Sequence, residues 1–541
     1  MPVFKVIICT RFKYSCGQQM LVNHCRKRER NNQFRRQNII FSNIQYSRTM
    51  FAIDPVTILL SVVVILFLAQ VYNGNKQKYK NFPPGPKPLP IIGNILSIDM
   101  NKPHRTFIEL SKTYGPVIGV QLGMEKTVLL CGYDSIKDAL INHADEFSDR
   151  PKTPVFSKIL RDNGVVFSSG ENWKVMKRFT LSTLRDYGMG KKTIEDKITE
   201  EADCLVQVFQ SYGGKPFNNH TIINAAVANI IVCILLNHRF EYEDPLIQKL
   251  MNIINENVRL LGTPMVRLYN SFPFLVGLLP GGHKKIVENI SEFRNFIIAT
   301  FTKQKKELDV NDQRNLIDTF LAKQQEGKPE STLYFHDENL TALVSNLFGA
   351  GMETTSTTLR WGLLLMMKYP DIQKKVQDEI KRVIGTAQPK LEHRNQMPYT
   401  DAVIHEILRY GDIAPGSVPH ATSQDVTFRG YLIPKGTTVI PVLSSSLRDK
   451  AYFKKPYEFY PEHFLDSEGN FKKNDGFIPF SIGKRSCAGE NLAKMELFLF
   501  FTRLLQNFTF QAPPDVDVDL TPALGFTNAP LPHKICAIPR S

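Results

Sequence analysis

The hydrophobic positions divide the chain into one long uncharged run and a much longer region of amphipathic patterns. The run, residues 56–72, contains no charged side chain. It is about long enough to cross a bilayer, which takes roughly 20 residues, although a buried core helix is the alternative for such a run. From residue 92 onward helical spacing predominates, most clearly at Asp337–Lys368, 371–384 and 400–410.

Short alternating patterns interrupt the helical ones and predict β-strands. They cover Val117–Leu122, 127–131, Val426–Phe428 and 437–441. The chain shows neither an internal repeat nor a low-complexity linker. Residues 92–541 are therefore predicted to form one domain that is mainly α with a small β region.

The charges around the uncharged run predict its orientation. Lys76, Lys78 and Lys80 follow the run, and positive charge favours the cytosolic side of a membrane. Residues 50–72 are accordingly predicted to be a transmembrane anchor, with the body facing the cytosol. Residues 73–91 form a basic, proline-rich linker, and since proline fixes φ and removes donors we expect a stiff spacer. A proline-rich ligand for a partner is the other interpretation.

The N-terminal segment, residues 1–49, conflicts with this orientation. It carries ten Lys or Arg against one acid, which is +9 of the net charge of +15 for all 541 residues. The same charge rule would hold it in the cytosol, yet the anchor places it on the lumenal side. We hypothesise an upstream extension or a start-site artefact, with a mitochondrial-type presequence as the rival. The remaining charge is too small for a polybasic binder.

The eight cysteines are scattered, and none forms a CxxC pair. This pattern favours a reducing compartment over a disulfide framework or a zinc site. Cys487 has a distinctive neighbourhood, because it precedes an amphipathic helix that begins near Ala488. A helix N-terminus stabilises a thiolate, so Cys487 is a candidate ligand. The alternative is a buried cysteine with only a structural role.

The residues around Cys487 suit a flat cofactor. Gly483 permits a tight turn, and Gly489 would allow a macrocycle to approach the helix backbone. Arg485 can pair with a carboxylate at the rim of that macrocycle. Phe480 can pack beside the sulfur and exclude water.

The pattern Phe-x-x-Gly-x-Arg-x-Cys-x-Gly over residues 480–489 resembles the haem-binding loop of the cytochrome P-450 superfamily. The resemblance spans roughly residues 50–541. Residues 419–426 and 429–437 look like microsomal family 2, and within it the K subfamily of fish. The resemblance implies the cytochrome P-450 fold and haem b with Cys487 as the axial thiolate on iron. The implied reaction is monooxygenation with O₂ and NADPH.

The segment Gly349-Ala-Gly-Met-Glu353-Thr354-Thr is unusual inside a helix, because each glycine costs about 1 kcal/mol relative to alanine. It resembles the family's oxygen-binding helix. By that resemblance Thr354 would hydrogen-bond dioxygen at the iron, and Glu353 would relay protons. A glycine kink with a solvated Glu and a core Thr is the alternative.

Other matching positions have roles implied by the resemblance. Glu406 and Arg409 lie on one helical face. They correspond to a buried pair beneath the haem loop, completed by His463, where many members have Arg; a surface pair is the usual alternative. The residues matching those near the haem propionates are Trp173, Lys177, Arg150 and His420. Lys177 replaces the usual Arg and cannot form a bidentate contact.

The resemblance also suggests substrate contacts and partners. The contact candidates are Val155, Phe156, Phe272, Phe274, Phe348, Ala350, Val418 and Phe526. Since most are apolar, we expect small lipophilic substrates such as fatty acids, steroids or xenobiotics, although each could be ordinary core. Lys174, Arg178 and Lys484 predict a cationic patch for an acidic electron donor; a solvated face is the alternative.

The expected donors are NADPH–cytochrome P-450 reductase and cytochrome b5, at the endoplasmic reticulum membrane. Nucleic acid is not an expected partner. Two other functions remain open from the sequence. One is a haem-thiolate isomerase or dehydratase that works without a reductase, and the other is a non-catalytic haem sensor. The acid–hydroxyl pair Glu353 and Thr354 favours the monooxygenase.

Overall fold

The structure, a computed structural model, describes Val62 and residues 81–187 and 192–540. The predicted extension, the predicted anchor apart from Val62, and the first part of the linker lie outside the described residues. Within the described residues, no helix is both long and apolar enough to cross a membrane.

Helices make up most of residues 81–540. In chain order they are α1 Pro103–Tyr114, α2 Tyr133–Lys137, α3 Pro154–Leu160, α4 Gly170–Asp186, α5 Lys192–Ser211, α6 His220–Leu236, α7 Pro245–Leu261, α8 Pro264–Ser271, α9 Pro273–Val276, α10 Gly282–Lys306, α11 Leu316–Gln325, α12 Pro329–Tyr334, α13 Asp337–Lys368, α14 Pro370–Val383, α15 Pro398–Gly411, α16 Leu443–Leu447 and α17 Glu490–Asn507. Short 3₁₀ turns lie at Ile95–Ser97, Leu391–Gln396, Pro461–Phe464 and Gly483–Arg485, and a π turn lies at Asp138–Asn142.

The strands are short and form three small sheets. They are β1 Val117–Leu122, β2 Glu125–Cys131, β3 Phe217–Asn218, β4 His420–Ala421, β5 Val426–Phe428, β6 Tyr431–Ile433, β7 Thr438–Val442, β8 Phe508–Gln511 and β9 Lys534–Pro539. The largest sheet has the order β1-β2-β7-β4, with β2 and β7 parallel and the other neighbours antiparallel. The other two sheets are β3-β9-β8 and the hairpin β5-β6.

The sequence patterns predicted three of these helices and four of these strands, with bounds close to those observed. The predicted helix Asp337–Lys368 is confirmed at both ends, as are strands β1 and β5. Helices α14 and α15 begin one or two residues earlier than the apolar pattern does, because a proline occupies the first turn of each. Proline is favoured there, since the N–H that it lacks has no partner inside the helix.

Helix α13 is the central element of the core, and it packs against α6, α10, α15 and α17. Its glycines explain how close the packing is. A Cβ on Gly351 would lie 2.5 Å from Cδ1 of Ile231 in α6, and one on Gly362 would lie 3.3 Å from Ile407 and Phe501. At Gly351, tight packing of α13 on α6 therefore offsets the lower helix propensity of glycine relative to alanine.

Candidate active site

The loop before α17 holds Cys487 through its main chain. The Cys487 N–H donates to the carbonyl of Phe480 at 2.9 Å, and Gly489 is the N-cap of α17. Burial raises the pKa of the Cys487 thiol, and a hydrogen bond from the Gly489 N–H opposes the rise only in part. A thiolate at this position therefore needs a further positive charge, such as a metal ion.

The two glycines of the loop have different surroundings. Gly483 has φ of +78°, and a Cβ on it would lie 1.9 Å from the carbonyl oxygen of Leu140. Both facts require glycine at this turn. A Cβ on Gly489, in contrast, would meet only the Cys487 sulfur, at 4.0 Å, among the described atoms. The backbone at Gly489 therefore borders open space beside the sulfur.

Cys487 is crowded by protein and yet keeps accessible surface. Beside it lies a cavity of about 240 Å³ that opens to solvent and is lined by Leu181, Arg185, Cys487, Ala488, Glu490 and Asn491. Ala350 and Thr354 are also exposed, although they lie in the middle of α13 and most of their neighbours are buried. Helix α13 thus presents accessible surface within the domain, and the cysteine loop presents accessible surface as well.

Arg485 belongs to the cysteine loop, and the guanidinium group of Arg150 lies close enough to repel it. Arg150 donates to the carbonyls of Val166, Val418 and Pro419 at 2.8–3.0 Å. Burial lowers the pKa of Arg150 to about 9. Arg150 nevertheless keeps some accessible surface.

Arg485 is buried and donates to the carbonyls of Ser148 and Ser168, both at 2.7 Å. Burial, together with repulsion from Arg150, lowers the pKa of Arg485 to about 8, and attraction to Asp149 only partly opposes this. Within the described residues, neither arginine forms an ion pair within 4.0 Å. Two largely enclosed cations without paired carboxylates create a site for an anionic group.

Trp173 of α4 lies under the same arginine. The Arg485 guanidinium is 3.7 Å from the centroid of the Trp173 ring, a cation–π contact that fixes its plane. Lys177 Nζ is 5.4 Å from that ring and donates to the carbonyl of Lys484. In this structure Lys177 therefore ties α4 to the cysteine loop, and a contact of Lys177 with a propionate stays a prediction.

His420, on β4, is buried and neutral. Its Nδ1 donates to the carbonyl of Phe147 at 2.8 Å. Burial, together with the nearby charges of Arg150 and Arg485, lowers the pKa of His420 to about 3. His420 consequently adds no positive charge to the site.

Residues 164–168, here called the strap, connect the two arginines to α13. The Gly164 N–H donates to Oδ1 of Asn339 at 2.7 Å, and the Val165 and Val166 N–H groups both donate to Oδ1 of Asn346 at 3.0 Å. The carbonyls of Val166 and Ser168 accept from Arg150 and Arg485 respectively. Asn339 and Asn346 were not among the residues predicted from the sequence, although two amides seven residues apart on one helix were a usable signal.

Glu353 and Thr354 are neighbours with different surroundings. The Thr354 hydroxyl donates to the carbonyl of Ala350 at 2.8 Å and remains exposed to internal space. Glu353 is buried, and its Oε1 accepts from Oγ1 of Thr527 at 3.0 Å and from Oγ1 of Thr357 at 3.3 Å. Burial raises the pKa of Glu353 despite the two hydroxyls and the nearby Arg360.

The pair Glu406 and Arg409 is fully buried, with Arg409 donating to both carboxylate oxygens at 2.7 Å. Glu406 also accepts from the Tyr460 N–H at 2.8 Å and from Nδ1 of His463 at 3.2 Å. Because His463 Nε2 accepts from the Lys455 N–H at 3.1 Å, the neutral tautomer protonated on Nδ1 satisfies both contacts. The surface alternative for this pair is thereby excluded.

The substrate candidates occupy varied positions. Val155 is fully buried, and Phe156 stacks on Phe167 of the strap with centroids 4.0 Å apart. Phe348 is buried against Phe293. Phe526 is partly exposed, and its N–H donates to Val258. The remaining candidates are Ala350, exposed on α13; Val418, a carbonyl partner of Arg150; Phe272, beside Gly123; and Phe274, 82% exposed on α9.

Residues 83–537 match the family model described as Cytochrome P450. The chain therefore belongs to the cytochrome P450 family, which makes it a haem-thiolate monooxygenase and an oxidoreductase. It is 47% identical to cytochrome P450 2K4 of Oncorhynchus mykiss, covering 90% of this chain and 98% of that protein. It is 46% identical to cytochrome P450 2K1 of the same organism, over 93% of this chain and all of that one.

A mammalian relative is similar to the same extent. Cytochrome P450 2C5 of Oryctolagus cuniculus is 46% identical, over 90% of this chain and all of that protein. The predicted resemblance to family 2 and to its K subfamily is confirmed. Membership implies haem with cysteine thiolate ligation, and the site fits this group. The thiol that needs a cation, the open side of Gly489 and the unpaired arginines are the features that match.

Proposed function

We propose that this chain inserts one oxygen atom of O₂ into small lipophilic molecules, using electrons that NADPH supplies through a membrane-bound reductase. The observation that carries the proposal is the combination of an enclosed thiol at Cys487 with an accessible hydroxyl at Thr354. The first suits an iron ligand, and the second suits the handling of oxygen and protons. The endoplasmic reticulum is the proposed location, with residues 50–72 as the anchor.

The residues proposed to hold haem are those of the cysteine loop and its neighbours. Cys487 would ligate the iron, and the Gly489 N–H would hydrogen-bond its sulfur. Arg150 and Arg485 would pair with the propionates, because both are largely enclosed and neither forms an ion pair within the described residues. When bound, haem supplies the activation of O₂, and a thiolate ligand favours cleavage of the O–O bond.

Proton handling is proposed for Glu353 and Thr354. A buried carboxyl with a raised pKa keeps its proton to higher pH than a free one and can then pass it on. Thr354 offers a hydroxyl to the internal space, where it can orient water or substrate oxygen. This arrangement supports oxygen insertion over a haem sensor, in which a buried acid beside an accessible hydroxyl would have no task.

Apolar substrates are proposed from the side chains near the strap. The stacked pair Phe156 and Phe167 and the exposed face of Ala350 offer hydrophobic contact. An apolar lining with few polar groups is typical of sites for lipophilic ligands. Fatty acids, steroids and xenobiotics are the proposed classes.

The electron donor is proposed to bind near α4. The cationic patch is smaller than its sequence suggests, because Lys174 pairs with Glu171 at 2.6 Å and Lys484 pairs with Asp145. Arg178 is exposed, and Arg185 lines the cavity beside Cys487. These two arginines are the proposed contacts for an acidic reductase or cytochrome b5, which opposite charge would steer to this surface.

A reconstitution experiment tests the function. The full chain, loaded with haem, is combined with NADPH–cytochrome P-450 reductase, lipid and NADPH, and is offered dodecanoic acid, progesterone and 7-ethoxycoumarin. The expected result is a hydroxylated or dealkylated product, with isotopically labelled O₂ supplying the inserted atom. A protein that rearranges an organic hydroperoxide without NADPH, and forms no product with the reductase, would contradict the proposal.

A second experiment tests the location and the start of the chain. Epitope tags at residue 50 and at the C-terminus, combined with protease protection of microsomes, should place the C-terminus on the cytosolic side. Mass spectrometry of the native N-terminus should find a chain that begins near Met50. A mature chain that begins at residue 2 would contradict the hypothesis for residues 1–49.

A further inference from the structure

The segment Gly525–Pro530, here called the C-terminal loop, forms three hydrogen bonds with side chains of α13. The Thr527 hydroxyl donates to Glu353 at 3.0 Å, the Trp361 indole N–H donates to the Asn528 carbonyl at 2.8 Å, and Arg360 donates to the Pro530 carbonyl at 3.2 Å. Both Trp361 and Arg360 are buried. The last two contacts fix the backbone that follows Thr527, and the Phe526 N–H, which donates to the carbonyl of Val258 at 2.9 Å, fixes the backbone before it. The Thr527 hydroxyl therefore has a defined position.

The first contact is the only one of the three that reaches a carboxylate. Both hydroxyls at Glu353, those of Thr527 and Thr357, donate to the same oxygen, Oε1. Among the described residues, the other oxygen, Oε2, accepts no hydrogen bond and is not fully enclosed. Hydrogen bonds thus hold the carboxyl group through Oε1, while Oε2 remains free to accept or donate a proton.

We propose that Thr527 is a positioning residue, whose hydroxyl holds Oε1 of Glu353 so that Oε2 can exchange protons with the internal space beside Thr354. The inference rests on the proposed function of Glu353 in proton handling. Thr527 touches neither substrate nor cofactor in this role and acts through the carboxyl group that it orients.

The position of Thr527 also links substrate contact to proton handling. Its neighbour Phe526 is a candidate substrate contact, partly exposed and anchored by its N–H to the carbonyl of Val258 in α7. A substrate that moves Phe526 acts on the same short loop that holds Glu353. The fraction of electrons that reaches product should therefore depend on the integrity of the contact between Thr527 and Glu353.

The groups that face Glu353 determine how it titrates. From α13 they are the Thr357 hydroxyl and the Arg360 guanidinium, and from the C-terminal loop the Thr527 hydroxyl. All three favour the ionised carboxylate against the effect of burial. Removal of the Thr527 hydroxyl leaves the burial in place and should raise the pKa of Glu353.

Infrared spectroscopy tests the contact without turnover. The haem-loaded full chain is titrated with pH, and the Glu353 carboxyl band is assigned by its loss in Glu353→Gln. We expect Thr527→Val, which keeps the side-chain shape, to move this titration to higher pH. Thr527→Ser, which keeps the hydroxyl, should restore it. Thr521→Val, at an exposed threonine nearby, should match the wild type. A Thr527→Val titration equal to that of the wild type would overturn the proposal.

The fraction of electrons that reaches product tests whether the contact between Thr527 and Glu353 serves proton handling. With reductase and the probe that the wild type oxidises best among dodecanoic acid, progesterone and 7-ethoxycoumarin, peroxide released per NADPH should rise about two- to ten-fold in Thr527→Val, as expected for one lost hydrogen bond. A shifted carboxyl titration with wild-type peroxide release would exclude the role in proton handling. A wild type that oxidises none of the three probes would instead contradict the proposed function, while the titration still decides whether the contact orients Glu353.

Discussion

The guanidinium groups of Arg150 and Arg485 lie close enough to repel each other, and each donates to main-chain carbonyls without forming an ion pair among the described residues. Such an arrangement costs free energy until an anion binds. A haem propionate is the anion that the family supplies. Arg485→Gln should therefore weaken haem binding about ten-fold or more, as expected for the loss of a charge-assisted hydrogen bond.

Haem transfer to apomyoglobin measures that loss. The rate of transfer from Arg485→Gln should exceed that of the wild type, whereas Arg178→Gln, at an exposed arginine of α4, should leave the rate unchanged. Equal rates for Arg485→Gln and the wild type would show that Arg485 only donates hydrogen bonds to main-chain carbonyls and does not hold haem.

The strap should loosen when Asn346 loses its amide oxygen. In Asn346→Val, the N–H groups of Val165 and Val166 lose their acceptor, which costs about 1–3 kcal/mol for each enclosed group. Hydrogen exchange of a peptide that covers residues 161–169 should accelerate about ten-fold or more. Asn346→Asp keeps an acceptor and should exchange like the wild type. Unchanged exchange in Asn346→Val would mean that the arginines alone hold the strap.

The buried pair of Glu406 and Arg409 should be required for folding. Glu406→Gln leaves the Arg409 charge enclosed and uncompensated, which costs about 3–5 kcal/mol, a large part of the free energy of unfolding of a typical domain. His463→Ala removes a single contact to Glu406 and should cost less, about 1–3 kcal/mol. The yield of haem-loaded protein and the thermal midpoint measure both effects. Glu468→Gln, at an exposed turn, is the control, and a Glu406→Gln protein as stable as that control would contradict the prediction.

Glu496 of α17 should make stability depend on pH. It is fully enclosed beside Thr355, and burial raises the pKa of its carboxyl from 4.5 to about 8. Between these values the folded chain keeps a proton that the unfolded chain releases. The free energy of unfolding should consequently fall as pH rises through this window, by up to about 1.4 kcal/mol per pH unit.

Glu496→Gln should remove that dependence, because glutamine stays neutral in both states. Thermal midpoints measured between about pH 5 and pH 8 should converge with those of the wild type at the acidic end. The variant should be more stable at the alkaline end. Glu109→Gln, at an exposed position, should follow the wild type throughout. Parallel curves for Glu496→Gln and the wild type would show that Glu496 is ionised in the folded chain.

Local patterns in the sequence predicted much of the fold and part of the site. The apolar spacing of α13 and the residues around Cys487 are contiguous in the chain, so their pattern contains the information needed. The contact of Thr527 with Glu353 joins residues far apart in sequence, and no local pattern records it. The same holds for the contact of Asn346 with the strap, and for Gly351, whose missing side chain makes room for Ile231 of another helix.

The contact that Lys177 makes in the folded chain also could not be predicted from the sequence. Lys177 donates to the carbonyl of Lys484, and this contact depends on how α4 packs on the cysteine loop. The contact of Lys177 with a propionate stays a prediction.

The carbon monoxide difference spectrum of the reduced, haem-loaded chain tests most directly whether Cys487 is the iron ligand. The wild type and Cys233→Ser, which alters a cysteine of α6, should both show the long-wavelength Soret band of thiolate-ligated haem. Cys487→Ser should lose that band even where haem is retained. A Cys487→Ser protein that keeps the band, or a folded, haem-loaded wild type that lacks it, would contradict the assignment of Cys487.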